Sequence, residues 1–465
     1  MSISTANSTL DRTKPPVPGP MRAVHFPTID ERMLSNGLSV YIVEAHDQPI
    51  ASVMCYFRTG STNDPVELPG LASMTSGMLT KGTLSRSAMQ IADEIDFVGG
   101  SLHSNASWDA STVSIGVLSK FLSTGLDLLE DVLLHPSFPV EELDRLKLQR
   151  LAALTQSKAE AGYLADNLFA RLVFPDHPYG SDANGTERSI AEISTEAVRQ
   201  FYHTHYGPEQ AFIIAAGDID PATFIPELES RFGAWKPHTT AKQSYVTQPR
   251  VRGIRVALVE RDQAVQSALR VGHLGIRRDN PDFIALHVLN MLFGGYFNSR
   301  INLNLREKHG FTYGARSQFD TRLMPGPFAV STEVSTGVTL RAVEEILSEL
   351  RRITVEMITE EELEMVKNYV IGSFPLQIET PQQIASRMAT LILYGLPRNY
   401  YDTYRERVAA LTREELLRVA REYLHPDDAL VVVSGNVDAI RSGLEEIGPV
   451  SIYDREGNLI ESVAA

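Results

Sequence analysis

The sequence predicts a mixed α/β or α+β protein built from two copies of one domain. Two observations carry this expectation. Period-two apolar runs and helix-period segments are interleaved along the chain with long crossover segments, which implies layered halves rather than an all-β fold. The chain also repeats itself in order. Residues 36–44 (NGLSVYIVE) are echoed by 252–260 (RGIRVALVE), 60–64 by 275–279, and 193–220 by 411–438. Within the last pair Pro208 matches Pro426, Ala211 matches Ala429, Gly217 matches Gly435 and Asp220 matches Asp438. The offsets are 216, 215 and 218 residues. Ordered blocks at one long offset signal duplication of a whole domain, whereas a solenoid repeats every roughly 20 to 50 residues.

Each half opens with two strands. In the first half Leu38, Val40 and Ile42 alternate with polar neighbours, then Val53, Cys55 and Phe57, with a polar turn at 45–48 between them. A helix follows a proline, beginning at Leu71 in the first half and at Phe283 in the second. Further strands and amphipathic helices come next. Each half then closes with a helix, a proline-containing turn, a buried strand and a Gly-Asp or Gly-Asn stop. The closing strands are the apolar runs Ile213-Ile214-Ala215-Ala216 and Val431-Val432-Val433. Residues 298–310 predict a helix with Asn298 as N-cap and Gly310 as its stop. Residues 311–319 alternate as a strand that puts Phe311, Tyr313, Ala315 and Phe319 on one face. The expected boundaries are a polar, proline-rich tail (1–20), a first half (21–235), a mostly polar linker with Pro237 and Pro249 (236–249) and a second half (250–465).

Composition narrows the function classes. At 465 residues the chain exceeds one ordinary core, and 43% hydrophobic with 22% charged residues is ordinary for a soluble protein. A net charge of −15 argues against nucleic acid or an anionic membrane as primary partner, since both select basic patches. No run of 18 apolar residues predicts a membrane span. The N-terminus shows neither the apolar core of a secretory signal nor an Arg-rich transit pattern, so the expected location is cytoplasmic. Cys55 is the single cysteine, which excludes an intrachain disulfide and a Cys-rich zinc site; within Val53–Phe57 it reads as a core thiol. No two of the 12 histidines are four apart. His203 and His205, two apart on a helix end, point to different sides and read as structural or solvated. His177, in His-Pro-Tyr-Gly, reads as a turn residue. There is no Gly-rich phosphate loop and no Gly-x-Ser-x-Gly elbow.

Four blocks stand in order over nearly the whole chain: 70–83 (GLASMTSGMLTKGT), 174–180 (FPDHPYG), 201–208 (FYHTHYGP) running into 212–220 (FIIAAGDID), and 305–314 (LREKHGFTYG). As an ordered set they resemble the pitrilysin and insulinase peptidases, which include the mitochondrial processing peptidase. The resemblance implies an α+β fold of two homologous, sandwich-like halves, each an antiparallel-rich sheet covered by helices on one side. Zinc-bearing members carry H-x-x-E-H on the helix of the first block, where two histidines grip one metal and the glutamate activates its water. Here those slots hold Ser73, Ser76 and Gly77, and the family's downstream glutamate ligand aligns with Ala153. Hydroxyls, a glycine and an alanine do not replace imidazole and carboxylate around zinc. The resemblance therefore implies no metal and no other cofactor in this chain.

By the same resemblance Arg306 and Tyr313 are the family's arginine–tyrosine pair, which reaches from the second half to the zinc-bearing half. Both are hydrogen-bond donors suited to the oxyanion of a tetrahedral intermediate, where one such donor supplies about 2.7–4 kcal/mol. Without the resemblance they read as a surface arginine in an ion pair and an aromatic in the sheet core. Ser101, His103 and Asn105, in an alternating segment after Gly99-Gly100, correspond to the family's edge strand beside the metal, where a peptide adds as an extra strand; the plain alternative is an unadorned sheet edge. The implied function is the zinc-free subunit of a heterodimeric zinc endopeptidase that cleaves short, unfolded peptides, with zinc in a homologous partner subunit. The alternative is a non-catalytic scaffold of the same fold, as a homodimer or as a core subunit of a complex, the role of relatives in a respiratory complex. A neighbouring gene encoding an intact H-x-x-E-H would favour the first.

Overall fold

The computed structural model describes residues 25–236 and 252–462; the expected tail (1–20) and all of the expected linker except Lys236 lie outside the described residues. The first sheet contains β1 (Asp30–Met33), β2 (Ser39–Glu44), β3 (Ile50–Phe57), β4 (Ser101–Ala106), β5 (Ser111–Leu118) and β6 (Ala211–Gly217). Its order is β1-β2-β6-β3-β5-β4. The second contains β7 (Arg255–Glu260), β8 (Gln266–Leu274), β9 (Ala315–Phe319), β10 (Pro327–Ser335), β11 (Leu430–Gly435), β12 (Val450–Tyr453) and β13 (Leu459–Ser462), in the order β13-β12-β7-β11-β8-β10-β9.

The run β2-β6-β3-β5-β4 recurs as β7-β11-β8-β10-β9, so the sequence repeat is a repeat of topology. Both sheets are antiparallel-rich, with β2–β6, β7–β11 and β7–β12 parallel. The last strand of each repeat slots between the opening two. It is covered on both faces, and every residue of β6 and β11 is buried. That position explains the unbroken apolar runs.

Sheet residues alternate between two cores. Ala51, Val53, Cys55 and Phe57 join the helix-side core of the first half. Met54, Phe212, Ile214 and Ala216 face the other way. That second face is not bare, which corrects the expectation of helices on one side only. Of the helices used below, α1 is Leu71–Met78, α2 Val140–Ala159, α3 Ala161–Val173, α4 Phe283–Asn290 and α5 Pro381–Leu393. The second half lends α5, through Ile384, Ala385 and Met388, to cover β3 and β6. The first half lends α3, whose Leu164, Ala165, Leu168 and Phe169 cover Ala257, Val259, Ala268 and Val432 of the second sheet. Central strands that are apolar on both faces need this second cover, and each half supplies it to the other.

The 298–319 segment also departs from expectation. Ser299, not Asn298, is the N-cap; residues Arg300–Asn302 are α-helical and Leu303–Lys308 widen into a π turn. Gly310 ends the segment as expected, at φ +65°. The strand starts only at Ala315. The amide N–H of Gly314 donates to Thr312 Oγ1 (3.1 Å), folding 312–314 into a turn ahead of the ladder. Tyr313 is consequently 95% exposed while Ala315 is 3% exposed, so the two do not share a buried face.

Candidate functional site

The degenerate motif lies on α1. This helix starts at Leu71 because Gly70, at φ +92°, turns the chain and Asp64 caps it; the Asp64 carboxylate accepts the N–H groups of Gly70 and Ala72, each at 2.7 Å. Burial outweighs those two donors and pushes the Asp64 pKa up to about 7. A folded-state pKa above the unfolded value of 3.8 means that the native state binds the proton more tightly, so this group favours folding below about pH 4 and loses that contribution as pH rises to 7. Relative to Asp64→Asn, the wild-type chain should therefore gain stability as pH falls from 7 to 4. Urea midpoints of the two proteins across that range check the sign.

The three motif positions on α1 each have a structural partner. Ser76 Oγ lies 2.7 Å from Ser104 Oγ on β4, and Ser104 Oγ donates to the Ser76 carbonyl at 2.7 Å. Ser73 Oγ accepts Arg150 Nη2 at 3.0 Å, and Arg150 Nη1 donates to Asn184 Oδ1 at 2.5 Å. A Cβ at Gly77 would stand 3.2 Å from Leu146 Cδ2. Ala153 is exposed on α2, one turn after Arg150. A guanidinium thus reaches the first ligand slot, and a leucine from the same helix packs against the last. This donor set does not fit zinc: it offers no imidazole, thiolate or carboxylate, and it already holds a cation. Among the described residues no group of three His, Cys, Asp or Glu side chains is placed to hold a metal. The purified chain should carry far less than stoichiometric zinc by mass spectrometry. Installing Ser73→His, Ser76→Glu, Gly77→His and Ala153→Glu should give stoichiometric zinc only when Arg150 is also replaced by alanine.

Strand β4 ends its sheet and, among the described residues, pairs only with β5. Leu102 and Ala106 turn into the helix-side core. Ser101, His103 and Asn105 lie on the opposite face, with Ser101 half-buried and His103 and Asn105 exposed.

Arg306 and Tyr313 stand on the second half. The Arg306 guanidinium lies over the Phe297 ring (4.6 Å to its centroid), and its Nε is 3.4 Å from Glu307 Oε1; the side chain is 35% exposed. Tyr313 lines a cavity of about 950 Å³ with His287, Arg316 and Glu333. His287 is held neutral, its pKa pushed down to about 4 by burial and by the charges of Arg278 and Arg387. Arg306 does not line this cavity, and no hydrogen bond, ion pair or cation–π contact joins the two side chains. Neither is buried. His177, read as a turn residue, caps the turn Pro178–Gly180 by accepting the Tyr179 N–H at 3.0 Å. Sequence reading missed Arg150 and Phe297. For Arg150 the signal was its spacing, three residues before Ala153 on the same helix.

Residues 39–181 match the family model for insulinase (peptidase family M16), and residues 192–370 match the one described as peptidase M16 inactive domain. The chain belongs to peptidase family M16. Among relatives of this M16 chain, an uncharacterized zinc protease, YmxG, of Bacillus subtilis is 24% identical over 399 residues, covering 86% of this chain and 96% of the relative. A protein of Helicobacter pylori named non-peptidase homolog YmxG is 23% identical over 398 residues, covering 84% and 90%. The crystal structure of a peptidase M16 inactive domain from Pseudomonas fluorescens superposes with a TM-score of 0.82 at 25% identity, covering 88% of this M16 chain and 98% of that one. No helix among the described residues is long and apolar enough to cross a membrane.

Proposed function

We propose that this M16 chain is the zinc-free subunit of a two-chain endopeptidase for short, unfolded peptides. The observation that carries the reading is a pairing of opposites: the first half has filled its metal slots with Arg150 and Leu146, while the second half presents Arg306 and Tyr313 to solvent. A homologous partner subunit with an intact H-x-x-E-H would supply the zinc. This chain's contribution is binding and charge stabilisation. Phe297 holds the Arg306 guanidinium by a cation–π contact, so its N–H donors are partly oriented before a substrate arrives. The Tyr313 hydroxyl, on a turn rather than in the ladder, is free to approach a peptide carbonyl bound in the partner. Together they donate hydrogen bonds to the oxygen that gains charge in the transition state. Ser101, His103 and Asn105 line an open sheet edge on which a peptide can add by main-chain pairing.

The test is co-expression with the product of a neighbouring gene that encodes H-x-x-E-H, followed by a quenched-fluorescence peptide assay. The two should co-purify, and only the pair should cleave. The Helicobacter pylori relative's name favours a second reading, a non-catalytic scaffold. On that reading the pair assembles but cleaves no faster than the partner alone.

A further inference from the structure

We infer that Arg150 turns the former metal groove of the first half into a receptor for a peptide carboxylate, with the peptide laid along β4. Three observations lead there. Arg150 is half-buried, and its guanidinium donates to two neutral oxygens, Ser73 Oγ and Asn184 Oδ1. Among the described residues it forms no ion pair, although most buried or half-buried arginines of this chain have one, as Arg270 has with Asp166 and Arg300 with Glu362. Asp182 is the carboxylate whose charge reaches Arg150. Its oxygens are taken by Tyr163 Oη (2.5 Å), the amide N–H of Asn184 (2.8 Å) and Asn167 Nδ2 (3.4 Å).

A guanidinium has five N–H donors in a planar fork that matches a carboxylate. Here it is partly stripped of water with no carboxylate paired to it among the described residues, and burial lowers its pKa although the Asp182 charge opposes that shift. An arriving carboxylate would relieve that cost and take the unused donors.

Position supplies the rest of the ligand. Ser73 and Ser76 are one turn apart on the same side of α1, about 5 Å along its axis. Ser76 is tied to Ser104 of β4. The guanidinium is therefore one helical turn from the contact between α1 and an edge strand whose outer backbone groups pair with no other strand among the described residues. A peptide adding to β4 uses those groups, and its carboxylate closes on Arg150.

The peptide nature of the ligand rests on the proposed function, but the readout needs no partner subunit. Fluorescence anisotropy of the full chain at low salt would compare one short labelled peptide as free acid, as C-terminal amide, and as amide with a central glutamate. A charged form should bind about tenfold tighter than the neutral amide. Preference for the free acid assigns the terminal carboxylate; preference for the glutamate form assigns an acidic side chain. Arg150→Gln should abolish the preference while leaving binding of the neutral amide unchanged, and Arg150→Lys should keep part of it. If Arg150→Gln fails to fold, Asn184→Asp serves, because it places a competing carboxylate against the guanidinium and should also abolish the preference. Equal binding of all three peptides, binding of none, or a preference that survives these variants overturns the inference. Wild-type turnover in Arg306 variants would sink the proposed subunit role and leave this result standing.

Discussion

Arg306→Ala and Tyr313→Phe are each expected to lower kcat of the proposed two-chain peptidase by about 10²–10³-fold, the cost of removing one oxyanion donor. KM should change little, because a donor that acts on developing charge contributes mainly in the transition state. Co-purification should be unaffected, since both side chains reach solvent and neither belongs to the apolar core. Phe297→Ala should cost less, roughly tenfold or below, because it removes only the platform under Arg306, a cation–π contact of about 0.5–1 kcal/mol at an exposed site. The order of effects matters as much as their size. A scaffold that bound the partner through this surface would lose assembly in these variants, not turnover. Steady-state kinetics with size-exclusion chromatography on the same samples separates the two.

The largest expected loss of stability lies where the halves clasp. Tyr179 is fully buried, and its hydroxyl donates to both oxygens of Asp109 (2.7 and 2.8 Å). Asp109 also accepts the Leu323 N–H (3.1 Å) from the β9–β10 loop of the second half. The Arg322 guanidinium of that loop lies over the rings of Trp108 (4.3 Å) and Tyr179 (4.6 Å). Tyr179→Ala removes a core aromatic and opens a cavity, which should cost about 3–5 kcal/mol. Tyr179→Phe leaves Asp109 buried with its hydroxyl donor gone and should cost about 1–3 kcal/mol. Burial already pushes the Asp109 pKa above the usual carboxylate range, so the Phe variant should raise it further. Because a raised pKa stabilises the protonated native state, the penalty of Tyr179→Phe should shrink as pH falls through the variant's raised Asp109 pKa, above the usual carboxylate range. Urea denaturation of both variants at neutral and acid pH checks the magnitudes and the sign.

Much of the architecture was legible in the residues. The echo of 193–220 in 411–438 became β6 and β11 at equivalent places in two sheets of like order. The prolines before Leu71 and Phe283 marked true helix starts. Cys55 is a fully buried core thiol. Other features resisted a one-dimensional reading. The exchange of α3 and α5 between halves is a long-range packing choice; both helices show ordinary amphipathic patterns that do not say which sheet they cover. The turn at Thr312–Gly314 was hidden because Phe311, Tyr313 and Ala315 keep perfect strand spacing, and one threonine hydroxyl overrides it. The residues at the positions that the resemblance assigns to the metal could be read from the sequence, but what packs against them could not. Arg150 and Leu146 read as one charge and one apolar residue on a long helix until α2 is seen to cross α1.

On the proposed function, this chain completes an active site it cannot build alone. Titrating it into a fixed amount of the zinc-bearing partner, with peptide turnover as the readout, tests that most directly. Turnover should rise from near background and saturate at one chain per partner, with the zinc remaining in the partner subunit. Full turnover by the partner without this chain, or turnover by this chain without the partner, would contradict it.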